Sequence, residues 1–498
     1  MSAYTELASY LRQSRVLASC QQLLSWDQET QMPHDAAELR AEQLSMLAGL
    51  AHRRDCADEL GEMLERAGDE VGSGDEPEVA SVREARRDFT RRKRIPAELM
   101  EERVRTTSLA RQAWIESRAK NDFATFLPHF EHIVDIMRRF ADALGFEDHP
   151  YDALVAEYEP GETAASLKEL ITPLQERSAS LLGRILDSGG AIDASVLKRR
   201  YPTDAQEQFN RFGAEKLGFD FRRGRLDVTA HPFCSGQGPT DVRLTTRYDE
   251  RNVADSYYST LHEAGHGIYE QGLPEERYGS PLGDACSFGI HESQSRMWEN
   301  HVARSRAYWT WLFPHVRERF PKASEGATAE EYYRANNAVA PSLIRVDADE
   351  ITYDLHIAIR FGLEERLLSR ELSAGDVPEA WNAEYQRLLR VTPPTDADGC
   401  LQDVHWSAGL FGYFPTYSLG NVYAAQLFAK ADEDLGGVHA QFARGEFRPL
   451  KEWLRENIHR HGRRYRPRKL VELATGHKPT IEPMMTYLEA KFGDLYSI

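Results

Sequence analysis

From Tyr4 to about Arg53, apolar residues recur at three- and four-residue intervals, the pattern of helices that bury one face. It breaks once, at Met32-Pro33, because proline removes a backbone donor and cannot continue a helix. The same periodicity returns over residues 97–144 and 164–186, and Asp187-Ser-Gly-Gly190 closes that block. Between residue 53 and residue 97, the stretch 68–78 is glycine-rich and acidic and predicts an exposed loop. No internal repeat interrupts the series.

The texture changes after Leu217. "RLDVTAHPFCSG" and "DVRLTTRY" are short, β-branched and alternating, with Gly236, Gly238 and Pro239 between them. They predict a small hairpin or edge-strand pair. A helical run follows from about Asn252 to Gln271, with Gly272 as its stop. Helical patterning then continues to the C-terminus, with loops at Pro393-Pro394 and Phe414-Pro415. The expected fold is mainly α, with one small β-sheet beside the helix of residues 252–271.

Composition narrows the class. Of 498 residues, 41% are hydrophobic and 28% charged, a globular balance. A formal net charge of -18 argues against a nucleic-acid partner. One basic run in the N-terminal part, Arg91-Arg92-Lys93-Arg94, sits among acidic stretches and predicts a solvated helix face or turn. Cys20, Cys56, Cys234, Cys286 and Cys400 are scattered without a C-x-x-C pair, as expected of reduced cytoplasmic thiols. Glu6, Arg12 and Arg15 interrupt the N-terminal apolar pattern, so no signal peptide is expected, and no apolar run reaches the roughly 20 residues of a membrane span.

The chemistry concentrates in "TLHEAGHGIYEQG", residues 260–272. Residues four apart share a helix face, so His262 and His266 can direct two imidazoles at one ion. Glu263 is rotated by about 100° from His262, beside an ion rather than on it, where a carboxylate can serve as a general base. Gly265 in mid-helix costs about 1 kcal/mol against alanine, so something must approach closely there. A catalytic zinc takes three protein ligands and an open position. The extended H-E-x-x-H-x-x-G-x-x-H pattern fails at Tyr269 and Gly272, and the E-x-x-x-D pattern fails at Arg296. "HESQSRMWENH", residues 291–301, offers Glu292 or Glu299 as third ligand, and spacing alone leaves both open.

Further stretches resemble one family, the carboxypeptidase Taq metallocarboxypeptidases. They are His231-Pro-Phe233, Asp241-Val-Arg243-Leu-Thr245, the H-E-x-x-H, His291-Glu292-Ser-Gln294, Ile344-Arg345-Val-Asp347-Ala-Asp349, and Gly399-Cys-Leu-Gln402-Asp403-Val-His405-Trp406. The resemblance implies a single catalytic domain over residues 1–498, with a large helical fold and a deep groove. Residues 1–190 would cover that groove, and 191–498 would carry the zinc site. It further implies a Zn²⁺-dependent carboxypeptidase, with Co²⁺ or Mn²⁺ able to substitute, acting on peptides with a free C-terminus as a cytoplasmic homodimer. An endopeptidase or dipeptidase with the same metal site is the alternative activity, and a non-catalytic helical scaffold the alternative class.

The resemblance also selects Glu292 as the third ligand. Arg345 matches a position suited to gripping a terminal carboxylate, or else pairs with Asp347 or Asp349. Arg243 would fix its strand or bind substrate. His231, His405 and Tyr417 are candidates for stabilising the oxyanion, and Tyr413 for lining the substrate site.

Overall fold

The computed structural model describes residues 2–74 and 76–498. Their segments form two compact units. The first comprises Met1–Lys93, Asp193–Asn336 and Tyr423–Pro479, and the second Arg94–Ile192, Asn337–Val422 and Thr480–Ile498. One segment boundary falls at Asp193, and the N-terminal helices part company: Met1–Lys93 clusters with the motif-bearing segment and Arg94–Ile192 does not.

Helices dominate, as the periodicity predicts. Ala3–Thr30 and Ala37–Asp55 flank Pro33, and the blocks over 97–144 and 164–186 become Ala97–Lys120, Phe123–Leu144 and Ala164–Asp187. The acidic loop is shorter than expected: Asp58–Val71 and Pro77–Arg94 are helical, and Asp75 lies outside the described residues. The basic run closes the Pro77–Arg94 helix, where Arg92 and Lys93 pair with Asp55 and Asp58 at 3.6 and 2.9 Å. Pro415 begins the Pro415–Asp434 helix instead of sitting in a loop, consistent with proline's fitness for a first turn. Among the described residues no helix is long and apolar enough to cross a membrane. None of the five cysteines forms a disulfide.

The sheet has three strands, β1 (Gly224–Val228), β2 (Cys234–Gly238) and β3 (Asp241–Thr246), in the order β1-β3-β2. β2 and β3 form the expected hairpin, and β1 adds in parallel to the other side of β3. β3 is therefore the central strand, not an edge. Its period-2 alternation sends Val242 and Leu244 to one buried face and Arg243 to the other. The Val253–Gly272 helix packs on the Leu244 face so tightly that a side chain at Gly267 would meet Leu244 at 2.9 Å. On the opposite face, the Arg243 guanidinium lies 4.3 Å from the ring centroid of Trp26, from the Ala3–Thr30 helix.

Candidate metal centre

The Val253–Gly272 helix carries the H-E-x-x-H motif, and the short Phe288–Arg296 helix carries Glu292. Ser287 caps the second helix by accepting from the Ile290 amide at 3.1 Å, which sets its start and so the height of Glu292. The two backbones touch at Gly265, where a Cβ would stand 2.6 Å from Ser295 Cα and 2.8 Å from the Gln294 carbonyl oxygen. That is the close approach the mid-helix glycine foretold. After Arg296 the chain widens into a π-helical stretch, Met297–Ala303, which carries Glu299. Such widened turns recur at functional sites.

His262, His266 and Glu292 offer three ligand atoms within 4.8 Å of one another. Glu292 Oε2 stands 3.6 Å from His262 Nε2 and 3.4 Å from His266 Nε2. Those gaps exceed an ordinary charge-assisted hydrogen bond. They match the roughly 3.3–3.4 Å between neighbouring ligands of a tetrahedral ion with bonds of about 2.0–2.1 Å.

The outer nitrogens are occupied. His262 Nδ1 lies 2.9 Å from Glu299 Oε2, and His266 Nδ1 lies 3.1 Å from the His291 carbonyl oxygen and 2.6 Å from His291 Nδ1. His291 Nε2 in turn reaches Glu270 at 2.8 Å. This network assigns the tautomers: both motif histidines donate outward through Nδ1 and keep the Nε2 lone pair inward. Two imidazole nitrogens and one carboxylate oxygen suit a divalent transition ion. The donor set fits.

Charges are arranged to match. Burial pushes the Glu292 carboxyl upward, but Arg296 and then His262 outweigh it and hold it well below the usual range. Glu299 is held down similarly, against burial, by Arg296 and His262. Burial lowers His266 to about 4, keeping it neutral as a ligand must be, whereas Glu292 and Glu299 raise His262 against its burial. Glu263 differs from its neighbours. It is buried, makes no hydrogen bond among the described residues, and burial lifts its carboxyl to about 7.

Comparison with known proteins decides what this arrangement belongs to. The family model described as "Carboxypeptidase Taq (M32) metallopeptidase" matches residues 6–492. The chain belongs to that family. It is 46% identical to thermostable carboxypeptidase 1 of Thermus thermophilus over 99% of both chains, and 39% identical to carboxypeptidase 1 of Bacillus subtilis over 95% of both. Its structure superposes on the crystal structure of the M32 carboxypeptidase from Deinococcus radiodurans with a TM-score of 0.97, at 41% identity and complete coverage of both chains. The chain is thus a metallocarboxypeptidase of mainly helical fold, and its family implies a metal ion and peptide substrates.

The other candidate residues fall in different settings. His231 is exposed in the loop between β1 and β2 and makes no hydrogen bond among the described residues. Arg243 pairs with Asp241 through two contacts of 2.9 Å and lies over the Trp26 ring. In the second unit, Arg345 is buried in the turn Arg345–Asp347. Its partner is neither Asp347 nor Asp349. Nε and Nη2 donate to Asp403 Oδ1 at 3.0 and 2.9 Å, and Nη1 to the Tyr353 hydroxyl at 3.2 Å. Asp349 instead accepts the Ala340, Ile351 and Thr352 amides.

Sequence reasoning missed Arg360, which is fully buried and donates to Asp403 Oδ2 at 2.6 Å and to Gln402 at 2.7 Å. Two guanidiniums therefore share one carboxylate. Burial pushes Asp403 up, but Arg345 and Arg360 outweigh it and hold it ionised. His405, 3.7 Å from Asp403, is lowered to about 4 by burial and stays neutral. The three charged side chains leave one positive charge in excess. Tyr417 stands over this group, its hydroxyl 3.5 Å from His405 Nε2 and its ring centroid 5.2 Å from the Arg345 guanidinium. The Tyr413 ring packs edge-on against Tyr158 and Tyr417.

Proposed function

We propose that the chain is a zinc-dependent carboxypeptidase that hydrolyses the last peptide bond of peptides with a free C-terminus. One observation carries the reading: three ligand atoms converge while the outer nitrogens of both histidines are already bonded. His262, His266 and Glu292 would hold the ion, Zn²⁺ foremost, with Co²⁺ or Mn²⁺ as substitutes. When bound, it supplies Lewis-acid polarisation of the carbonyl and a water acidified to a pKa of about 7.

Glu263 acts as the proton carrier. It takes a proton from the attacking water and returns it to the leaving amine. A buried carboxylate with no hydrogen-bond partner among the described residues is left available for that exchange. Arg345 receives the terminal carboxylate, supported by the excess positive charge it shares with Arg360 and Asp403. His405 and Tyr417, adjoining Arg345, orient the substrate or donate to the developing oxyanion, with Tyr413 beside them. From the family resemblance and the free thiols we further propose a cytoplasmic homodimer.

The test pairs metal content with a C-terminal ladder read by mass spectrometry. The purified chain should hold one equivalent of zinc and shorten peptides residue by residue from the C-terminus. Glu263→Gln should keep the ion and lose about 10²- to 10⁴-fold in turnover. An active Glu263→Gln enzyme, or internal cleavage in place of a ladder, overturns the reading.

A further inference from the structure

Arg296 lies four residues after Glu292, one helical turn on, and bridges two carboxylates. Its Nε donates to Glu292 Oε1 at 2.7 Å and its Nη1 to Glu299 Oε2 at 3.2 Å. The two oxygens of Glu292 thereby have different surroundings. Oε1 is held by the guanidinium, while Oε2 faces both histidine Nε2 atoms and accepts the Ser295 hydroxyl at 3.1 Å. Glu299 Oε2, the second oxygen Arg296 touches, is the one bonded to His262 Nδ1. One side chain thus braces the glutamate ligand and the carboxylate behind a histidine ligand.

We propose that Arg296 is a specificity-determining residue: by engaging Glu292 Oε1 it confines the glutamate to one ligand oxygen and so sets which divalent ion the centre prefers. The proposal rests on the metal site described above. A carboxylate with both oxygens free can bind through both, as larger oxygen-preferring ions favour. Restricted to one, it contributes to a low-coordinate, nitrogen-rich set, which suits Zn²⁺ and disfavours Mn²⁺. A guanidinium does not deprotonate in proteins, so the restraint holds at every working pH. Arg296 also places a positive charge near any bound cation, which weakens all dications alike. Absolute affinity therefore mixes two effects, whereas the ratio of affinities for two dications cancels the charge and isolates the restraint.

The experiment compares the metal-stripped full chain with Arg296→Ala and Arg296→Met, the latter filling the space without a donor, each checked for folding by thermal melting. Competition against a chromophoric chelator gives the Zn²⁺ to Mn²⁺ affinity ratio, and the Co²⁺ forms give visible spectra. We expect the ratio to fall at least about tenfold, the lower end for loss of a group that supports a metal ligand. The Co²⁺ band should lose intensity as the coordination number rises. A ratio within twofold of wild type and an unchanged Co²⁺ band in a folded variant overturn the proposal. X-ray absorption at the zinc edge of the wild-type protein tests it without any variant, since a two-oxygen glutamate there also overturns it. If the wild-type chain binds no stoichiometric ion, the metal-site reading fails instead, and the two failures are distinct.

Discussion

The centre around His262 and the cluster around Arg345 are built from the same materials, buried carboxylates, guanidiniums and histidines, yet they end in opposite states. Around Arg345 the charges meet directly: Asp403 takes Arg345 at 2.9 Å and Arg360 at 2.6 Å, one oxygen each. Around His262 the protons are spent outward, on Glu299 and His291, and three lone pairs face one another across 3.4 to 4.8 Å. Burial and charge content therefore do not distinguish a place for an ion from a closed ion-pair network. What distinguishes them is whether acceptor atoms are left over once each nearby donor has been used. The first cluster has a surplus of acceptors and wants a cation. The second has a surplus of one positive charge and wants an anion.

The contrast breaks most severely at its acceptors. Glu292→Ala removes an inward lone pair and should abolish stoichiometric zinc, together with activity. Glu299→Ala removes only an outward partner and should weaken zinc by about 10- to 100-fold. Equilibrium dialysis of both variants checks the order, and the reverse order would make Glu299 the ligand. Next in size is Arg345→Ala, which should lower kcat/KM for free-acid peptides by about 30- to 4,000-fold, the 2–5 kcal/mol of a lost buried charge pair, with zinc retained. Slow cleavage of a C-terminally amidated peptide should barely change, because the missing contact never existed there. Equal loss on both substrates would leave Arg345 a purely structural partner of Asp403.

The smallest effect sharpens the comparison through a buried carboxyl that serves neither cluster. Glu364 in the second unit is fully buried, accepts from Tyr151, Trp406 and the Gly412 amide, and is lifted to about 7 by its burial. Because the folded value lies above the ordinary 4.5, the fold binds this proton more tightly than the unfolded chain does. Its contribution is complete below pH 4.5 and is lost as pH rises through 7, an upper bound of about 3.5 kcal/mol at about 1.4 kcal/mol per unit. Thermal melts from pH 5 to 8 should show a falling midpoint, and Glu364→Gln should flatten that slope.

Some of this was legible along the chain. Gly265 announced a close approach because glycine in mid-helix has no other excuse, although not that Ser295 and Gln294 supply the neighbour. Glu292 and Glu299 could not be separated by spacing, since residues seven apart stand within about 20° on a helix. Their distinct duties come from different sides of one imidazole, Nε2 and Nδ1, and from the π-helical widening between them. For Arg345 the nearest acids in sequence were the wrong partners, and the right one lies 58 residues away. Alternation puts Arg243 in a hairpin or edge-strand pair without showing that its strand is central, because the parallel strand β1 carries little signal of which side it joins.

The sequence by itself determined the helical class, the small sheet, the face shared by His262 and His266, and the family, because periodicity and motif spacing are local and survive in one dimension. Only the tertiary structure decided which carboxylate stands inside and which outside the centre, that Arg296 and Arg360 belong to these clusters, and that Asp403 answers Arg345. Those outcomes depend on hydrogen bonds between segments that meet only once the helices have packed. A buried donor takes whichever acceptor packing brings within about 3 Å, and sequence distance sets no limit on that choice.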